Sequence, residues 1–201
     1  MPLFRTHRTL KENTADEDYA LVKRLRSGDD FALNEIMQRY KERVCRLAWR
    51  YVGNEDAALD VTQETFTKLY FNIDKYDPAY KFSTWVFQIA VNLCRDHLRK
   101  NKNHARNVSF DILSEDSPGA WQRSGENIEA GFLSREQLAL LRREVDLLPD
   151  TLKEAFILFA VEEKTQAECA EILHVSAKTV ETRVYRARKI LSEKLQLSFE
   201  G

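Results

Sequence analysis

The chain has 201 residues, of which 43% are hydrophobic, and it contains only six glycines and four prolines. This content can bury one sizeable core or two small ones, and the long 3.6-residue periods predict a mostly helical protein. The net charge of −1 excludes an overall basic protein, but the charges are grouped. Segments 93–106 and 176–191 are basic, whereas 111–129 between them is acidic. Because affinity for nucleic acids follows local charge, the two basic segments are candidate nucleic-acid surfaces.

Several other functions have little support in the sequence. Cys45, Cys94 and Cys169 are far apart and lie in helical patterns, which is typical of buried thiols in a cytoplasmic protein. Cys94 and His97 lack a second cysteine pair at zinc spacing, so we expect neither a metal nor a cofactor. The four histidines form no array with an acid or a nucleophile, which predicts no catalytic residue and no enzyme. No signal peptide or apolar run of membrane-spanning length is present, so we expect no membrane insertion.

The first half of the chain predicts a polar N-terminal arm and then a compact helical bundle. The arm covers residues 1–15 and is expected to be flexible. Gly53 ends one predicted helix, and Asn54 is a good N-cap for the next. The predicted helices cover 16–26, 30–52, 54–72 and 80–100. Their short connections predict a four-helix bundle over 16–101.

The fourth predicted helix has two faces, with Ser83 or Thr84 as candidate N-caps. The apolar face reads as core and carries Val86, Ile89, Ala90, Leu93, Cys94 and His97. The other face carries Trp85, Gln88, Asn92, Arg95, Asp96 and Arg99. A large aromatic beside amides and guanidiniums suits a surface that stacks bases and binds phosphates. A solvated charged face, with Trp85 in the core, fits this stretch equally well.

The composition changes over residues 102–133, which are rich in Asn, Ser, Gly and acids. We predict a flexible linker there; the alternative is a folded excursion around Trp121. The last part, 134–201, predicts a second small helical domain. Its helix starts are indicated by three capping boxes, Ser134 with Gln137, Thr151 with Glu154, and Thr165 with Glu168, and by Ser176. The helices are expected over 134–147, 151–162, 165–173 and 176–195.

Residues 165–191 predict a helix, a short turn and a second helix, which is the layout of a helix-turn-helix. Val180, Val184, Ala187 and Leu191 are expected to face inward. The outer face then carries Lys178, Thr179, Glu181, Thr182, Arg183, Tyr185, Arg186 and Lys189. A recognition helix places such side chains against base edges and phosphates. An ordinary helical hairpin with solvated charges is the alternative, but the excess of basic over acidic side chains favours DNA binding.

With these residues in view, the chain resembles bacterial RNA polymerase sigma factors of the ECF (extracytoplasmic function) group in the sigma-70 family. The resemblance spans about 16–101 and 134–195. It rests on the motifs Asp60–Phe66, Phe82–Asn92, Leu148-Pro149, Thr179-Val180 and Arg186-Ala187-Arg188. It implies an all-α protein in which 16–101 is sigma region 2, 134–201 is sigma region 4 and 102–133 is the linker between them.

The resemblance also implies a role for each matching surface. Asp60, Gln63, Glu64 and Phe66 would bind the clamp helices of the largest subunit of core RNA polymerase, and the polymerase flap is a further implied contact. The residues implied in binding and melting the −10 element are Lys81, Trp85, Gln88, Asn92, Arg95, Arg99 and Lys100. The helix over 176–191 would read the duplex −35 element with the eight outer residues named above. An anti-sigma factor is an implied partner, and a bacterial cytoplasm the implied location.

Three positions depart from the family pattern, and they put the −35 sequence in doubt. His174 stands where the family usually has a turn glycine, Ala177 stands where glycine is common, and Glu181 is at a position that is often basic. An acid there can accept from cytosine N4 but repels phosphate. Two other functions stay open: a sigma-like decoy that binds an anti-sigma factor, and a stand-alone helix-turn-helix regulator.

Overall fold

The computed structural model describes residues 17–107 and 135–199, and all regular structure in these ranges is helical. The predicted arm over 1–15, the linker over 108–133 and the Ser134 cap lie outside the described residues. We call 17–107 the N-terminal half and 135–199 the C-terminal half.

The N-terminal half contains the four predicted helices. They are α1 (17–26), α2 (Phe31–Val52), α3 (Glu55–Phe71) and α4 (Phe82–Asn107), with a 3₁₀ turn at Ile73–Lys75 before α4. Gly53 adopts the left-handed conformation at φ 71°, and its N–H bonds to Trp49, as a C-cap does. The Asn54 side chain accepts from the N–H of Ala57 at 2.9 Å. Both predicted signals are therefore confirmed.

Buried polar contacts hold α1 against the other helices. Asp18 is 5% exposed; its carboxylate accepts a hydrogen bond from the Tyr40 hydroxyl and pairs with Arg39 at 3.1 Å. At the other end of α1, the guanidinium of Arg26 donates to the carbonyls of Ile73 and Tyr76 at 3.0 and 2.6 Å. These contacts fix the turn that leads into α4.

Helix α4 begins and ends differently from the prediction. It starts at Phe82, and the carbonyl of Lys81 accepts from the N–H groups of Thr84 and Trp85. Thr84 is therefore inside the helix, where its buried hydroxyl has no hydrogen-bond partner in the described part of the chain. At the other end the helix continues to Asn107, so 102–107 of the predicted linker are helical. This segment has no glycine or proline to stop the helix.

The C-terminal half contains the other four helices. They are α5 (Arg135–Asp146), α6 (Asp150–Phe156), α7 (Gln166–Leu173) and α8 (Ala177–Phe199), with a five-residue π-helical turn, Ile157–Val161, continuing α6. The capping box of Thr165 and Glu168 is present, and the Ser176 hydroxyl accepts from the N–H of Thr179 at 3.1 Å. The predicted box of Thr151 and Glu154 is wrong. Pro149 precedes α6 instead, and Glu154 bonds to Arg95.

The two halves pack against each other and share one hydrophobic core. Helix α4 lies between α2 and α3 on one side and α7 on the other. Phe87 and Val91 of α4 are fully buried, as are Leu158 and Ile172 of the C-terminal half. The sequence pattern left Phe87 and Val91 out of the core because it treated each half as a separate domain.

A lysine is buried where the halves meet. Lys164 is 6% exposed, and its ammonium lies 4.3 Å from the centre of the Phe87 ring. Burial lowers its pKa to about 8, and the charge of Arg43 acts in the same direction. The carboxylates of Glu168 and Glu162 oppose the shift in part. A cation over an aromatic ring is attracted to it, but desolvation dominates here.

Lys164→Met should therefore stabilise the fold at pH 7. Below pH 8 the lysine is charged in both the folded and the unfolded chain, so its burial cost is present in full. The cost falls as the pH rises from about 8 towards 10.5, because the folded chain then loses the proton first. We expect a gain of about 2 kcal/mol in the free energy of unfolding at pH 7, less at pH 9.5. Urea unfolding at both pH values measures it.

Lys75→Met is the control, because Lys75 is exposed in the 3₁₀ turn. It should change the free energy of unfolding little at either pH. A gain for Lys164→Met that is equal at pH 7 and pH 9.5 would contradict the assigned burial cost.

Candidate functional site

A groove of about 730 Å³ runs between α2 and α3. Gln63 and Phe66 line it, and Phe66 is only 3% exposed. Asp60 and Glu64 are exposed on the same helix. The four residues predicted to bind polymerase are thus one buried ring and three exposed polar groups on α3, a mixture that a protein partner can recognise.

Three exposed apolar side chains on α2 and α3 were missed or misplaced by the sequence pattern. Phe71 is 76% exposed and Leu59 is 42% exposed, and both line the groove. Phe31 at the start of α2 is also 76% exposed, although the pattern placed it in the core. The available signal was that Leu59 and Phe71 fall outside the apolar stripe of α3. Large exposed apolar groups of this kind mark interaction surfaces.

The acidic pair on α3 is partly compensated within the chain. Asp60 and Glu64 are four residues apart, an arrangement that destabilises a helix mildly. Glu64 pairs with Lys68 one turn further on, at 3.2 Å. The cost of the acidic pair is therefore smaller than the sequence alone suggested.

We call the seven predicted −10 residues on and before α4 the α4 outer face. Lys81, Asn92, Arg99 and Lys100 are exposed, whereas Trp85, Gln88 and Arg95 are half-buried. The Trp85 ring packs at a tilt against Tyr76 and Phe82, with centroids 5.4 and 5.9 Å apart. Trp85 is thus neither a fully exposed stacking ring nor a core residue. One part of it is anchored by neighbouring rings, and another part reaches the surface.

Three side chains of the α4 outer face bond to the C-terminal half. The guanidinium of Arg95 donates to both carboxylate oxygens of Glu154, at 2.8 and 2.7 Å. The ammonium of Lys81 lies 2.9 Å from the carboxylate of Glu168. The amide of Gln88 lies 2.7 Å from the imidazole of His174.

The pKa of Glu168 shows how firmly its charge is held. Burial alone would raise this pKa, but hydrogen bonds from Lys81 and from the backbone and hydroxyl of Thr165 lower it to about 2. The carboxylate therefore remains ionised at any physiological pH.

Helix α8 presents the predicted −35 residues as expected. Its inner residues, Val180, Val184, Ala187 and Leu191, are all buried. Of the eight predicted residues, Thr179, Thr182 and Arg183 are half-buried and the other five are exposed. Lys178 lies 3.0 Å from Glu181, and the Thr182 hydroxyl donates to the carbonyl of Lys178 at 2.9 Å. The acid at 181 thus neutralises the nearest base of the same face.

The turn before α8 contains a histidine in the left-handed conformation. His174 has φ 56° and ends α7, at the position where glycine would be unstrained. Ala177 is the first residue of α8 and is exposed. The helix-turn-helix therefore forms despite both departures.

Other kinds of site have no counterpart in the described ranges. Within 17–107 and 135–199, no cluster of three or more His, Cys, Asp or Glu side chains could hold a metal ion. Burial raises the pKa of Cys94 and of Cys169 to about 12, so both thiols stay protonated. None of the helices in the described part of the chain combines the length and the apolarity needed to cross a membrane.

Comparison with known families and structures agrees with this geometry. The sigma-70 region 2 model matches residues 36–104, and the sigma-70 region 4 model matches residues 138–191. The structure of CnrH in complex with the cytosolic domain of CnrY has a TM-score of 0.66 at 26% identity, covering 90% of this chain and 97% of that chain. RpoE from Bartonella quintana, solved with the anti-sigma factor NepR, shares the fold at 22% identity with a TM-score of 0.65. These matches define a protein with sigma regions 2 and 4.

The curated relatives narrow the family further. The ECF sigma factor SigW of Bacillus subtilis is 32% identical over 180 residues, covering 87% of this chain and 95% of SigW. The ECF sigma-E factor of Haemophilus influenzae is 34% identical over 183 residues, covering 89% of this chain and 95% of that protein. The chain belongs to the ECF group of RNA polymerase sigma factors, and it is an alternative sigma factor. The predicted family, all-α fold class and function are confirmed.

The contact between Lys178 and Glu181 generates a prediction for duplex binding. Glu181→Gln frees Lys178 and removes a charge that repels phosphate. We expect the dissociation constant for a duplex of unrelated sequence to fall about threefold, and the salt dependence of its binding to steepen by about one contacted phosphate. Fluorescence anisotropy at several salt concentrations measures both. Glu171→Gln, an equal charge change at an exposed position on α7, should leave the salt slope unchanged; an equal effect of the two variants would contradict the role of Lys178.

Proposed function

We propose that this sigma factor uses three surfaces in transcription initiation: the α2–α3 groove for core polymerase, the α4 outer face for the −10 strand and α8 for the −35 duplex. Residues 16–101 would form region 2, 134–201 region 4, 102–133 the linker and 1–15 a flexible arm. The observation that carries the proposal is that each surface lies on its own helix, with a chemistry suited to its target. As a transcription initiation factor, the chain itself would catalyse no reaction.

Polymerase binding by the groove is supported by its mixed lining. Phe66 forms a buried apolar base, Phe71 and Leu59 are exposed, and Asp60 and Gln63 add polar groups on the same helix. A helical partner can bury the exposed rings and bond to the polar rim. The clamp helices of the largest subunit are the proposed occupant, with the flap as a further contact of region 4.

Binding of the −10 strand by α4 is supported by the combination of one anchored aromatic ring with basic and amide side chains. Trp85 is held by Tyr76 and Phe82, so stacking on it would order no further side chain. Asn92 is exposed on the same face, where it could bond to a splayed base. Removing a base from the stack costs a few kcal/mol, which stacking and phosphate contacts must offset.

Reading of the −35 duplex by α8 is supported by its exposed outer residues. Tyr185, Arg186 and Lys189 are all exposed, and α8 starts at a capped turn, as a recognition helix does. Glu181 would favour cytosine at its position over a phosphate contact.

A protein regulator and a location complete the proposal. RpoE from Bartonella quintana, which shares this fold, was solved with the anti-sigma factor NepR bound. We infer that an anti-sigma factor likewise binds this chain, and that the chain works in the bacterial cytoplasm.

Run-off transcription with core polymerase tests the proposed function. Promoters selected from a randomised library should give transcripts only when the chain is present. A folded chain that supports no transcript from any selected promoter would refute the proposal.

Phe71→Ser tests the groove. Because Phe71 is 76% exposed, the free energy of unfolding should change by less than about 0.5 kcal/mol. The affinity for core polymerase should fall roughly tenfold, since buried aromatic anchors dominate interfaces. Tyr80→Ser, which removes an exposed ring outside the groove, is the control and should keep full affinity in the same pulldown titration. Equal losses in both variants would place the polymerase elsewhere.

Trp85→Ala tests strand opening. Permanganate reactivity of promoter thymines should fall at least about tenfold, because stacking on an aromatic ring contributes roughly 1–3 kcal/mol per base. Affinity for core polymerase should be unchanged. Trp85→Phe keeps a ring against Tyr76 and should retain part of the opening. Parallel losses of opening and of polymerase affinity in Trp85→Ala would mean that the ring is only structural.

A further inference from the structure

Acidic side chains of the C-terminal half form ion pairs with basic side chains of the N-terminal half. Besides Arg95 with Glu154 and Lys81 with Glu168, Arg50 of α2 lies 2.6 Å from Glu162. The side chains of Glu154, Glu162 and Glu168 are 9%, 6% and 14% exposed. These carboxylates are enclosed between the halves and are not solvated surface charges.

The contact at Arg95 uses the donors that a DNA phosphate would need. A guanidinium binds either a carboxylate or a phosphate through two parallel N–H donors. Here the Nε and Nη2 atoms of Arg95 both donate to Glu154. The Gln88 amide is likewise taken up by His174. While these bonds exist, neither side chain can bond to DNA through the same atoms.

The other two surfaces remain open in the same arrangement. The α2–α3 groove keeps Phe71 exposed, and α8 keeps Tyr185 and Arg186 exposed. Only the α4 outer face is covered in part by the other half. In this arrangement the surfaces proposed for the −35 duplex and for polymerase are therefore accessible, whereas part of the surface proposed for the −10 strand is not.

We propose that the C-terminal half is a built-in competitor of the −10 strand: Glu154, Glu168 and His174 occupy Arg95, Lys81 and Gln88 until the two halves separate. This inference rests on the proposed function of the α4 outer face. No partner is needed for the closure, because every group involved belongs to this chain. When the halves separate, a DNA phosphate replaces each carboxylate, so the side chains of Lys81 and Arg95 are paired in both states.

One buried charge inside the interface opposes the closure. Lys164 lies inside it with a burial cost that its neighbours only partly offset. Buried ion pairs add little net stability, although loss of one partner is costly. Both terms offset part of the apolar burial that the halves share, and so lower the free energy that favours the closed state.

Arg50→Gln in the full-length chain separates this inference from simple electrostatics. Arg50 is not on the α4 outer face, and its loss leaves Glu162 enclosed and unpaired, which favours separation. The variant lacks a positive charge, so electrostatics alone predicts weaker DNA binding. Opening predicts the reverse. We expect a fluorescent oligothymidine to bind roughly tenfold more tightly, as for a closed fraction of about nine tenths in the parent chain.

Arg46→Gln is the matched control. Arg46 lies one turn earlier on α2 and pairs with Glu42 of the same helix, at 3.1 Å. It should bind oligothymidine no more tightly than the parent chain. Small-angle scattering should show a larger radius of gyration for Arg50→Gln only, and circular dichroism should show equal helix content in all three proteins. Affinity for an isolated clamp-helix peptide, which would contact the α2–α3 groove alone, should be the same in all three.

The possible outcomes test this inference and the proposed function of the chain separately. If the Arg50→Gln chain expands but binds oligothymidine no more tightly, the C-terminal half does not compete with the strand. If it neither expands nor binds more tightly, the ion pairs do not hold the halves together. Either result together with active run-off transcription by the parent chain leaves the proposed function intact. Tighter binding on expansion, without any transcript from a selected promoter, would support the competition and refute the proposed function.

Discussion

Helix α4 is packed on two sides, and the remaining structure depends on this constraint. Its residues Val86 and Ala90 are fully buried, and so are Phe87 and Val91, which lie one position further along the helix. A helix buried around so much of its circumference cannot rotate without opening a cavity. The α4 outer face is therefore presented from a rigid support, and whatever uncovers that face must move the C-terminal half and not α4.

The polar contacts between the halves have a different role from the shared apolar core. Apolar burial favours any compact arrangement, whereas the pairs at Arg95, Lys81 and Arg50 select one orientation of the C-terminal half. They also make that orientation sensitive to competing anions. DNA is such a competitor, because each phosphate along the strand can pair with the same basic side chains.

Local signals in the sequence predicted much of the fold, and nonlocal contacts explain where they failed. Asn54 and Thr165 could be recognised as caps because each bonds to a backbone group three residues away. Thr151 has the same pattern, but its partner Glu154 bonds instead to Arg95, far away in the chain. The side of α8 that faces away from the core could be predicted because a 3.6-residue period fixes it. The bonds from Gln88 to His174 and from Arg95 to Glu154 could not be predicted, since no local rule brings the end of α7 or α6 to α4.

His174 connects a departure from the family pattern with this interface. A left-handed residue other than glycine costs roughly 1–2 kcal/mol, so the histidine needs a compensating contact. Its imidazole lies 2.7 Å from the Gln88 amide on α4, a bond that glycine could not make. The same substitution that strains the turn of the helix-turn-helix thus adds a contact between the halves. The turn of this sigma factor is therefore part of the surface that covers α4, in addition to its role of setting the angle between α7 and α8.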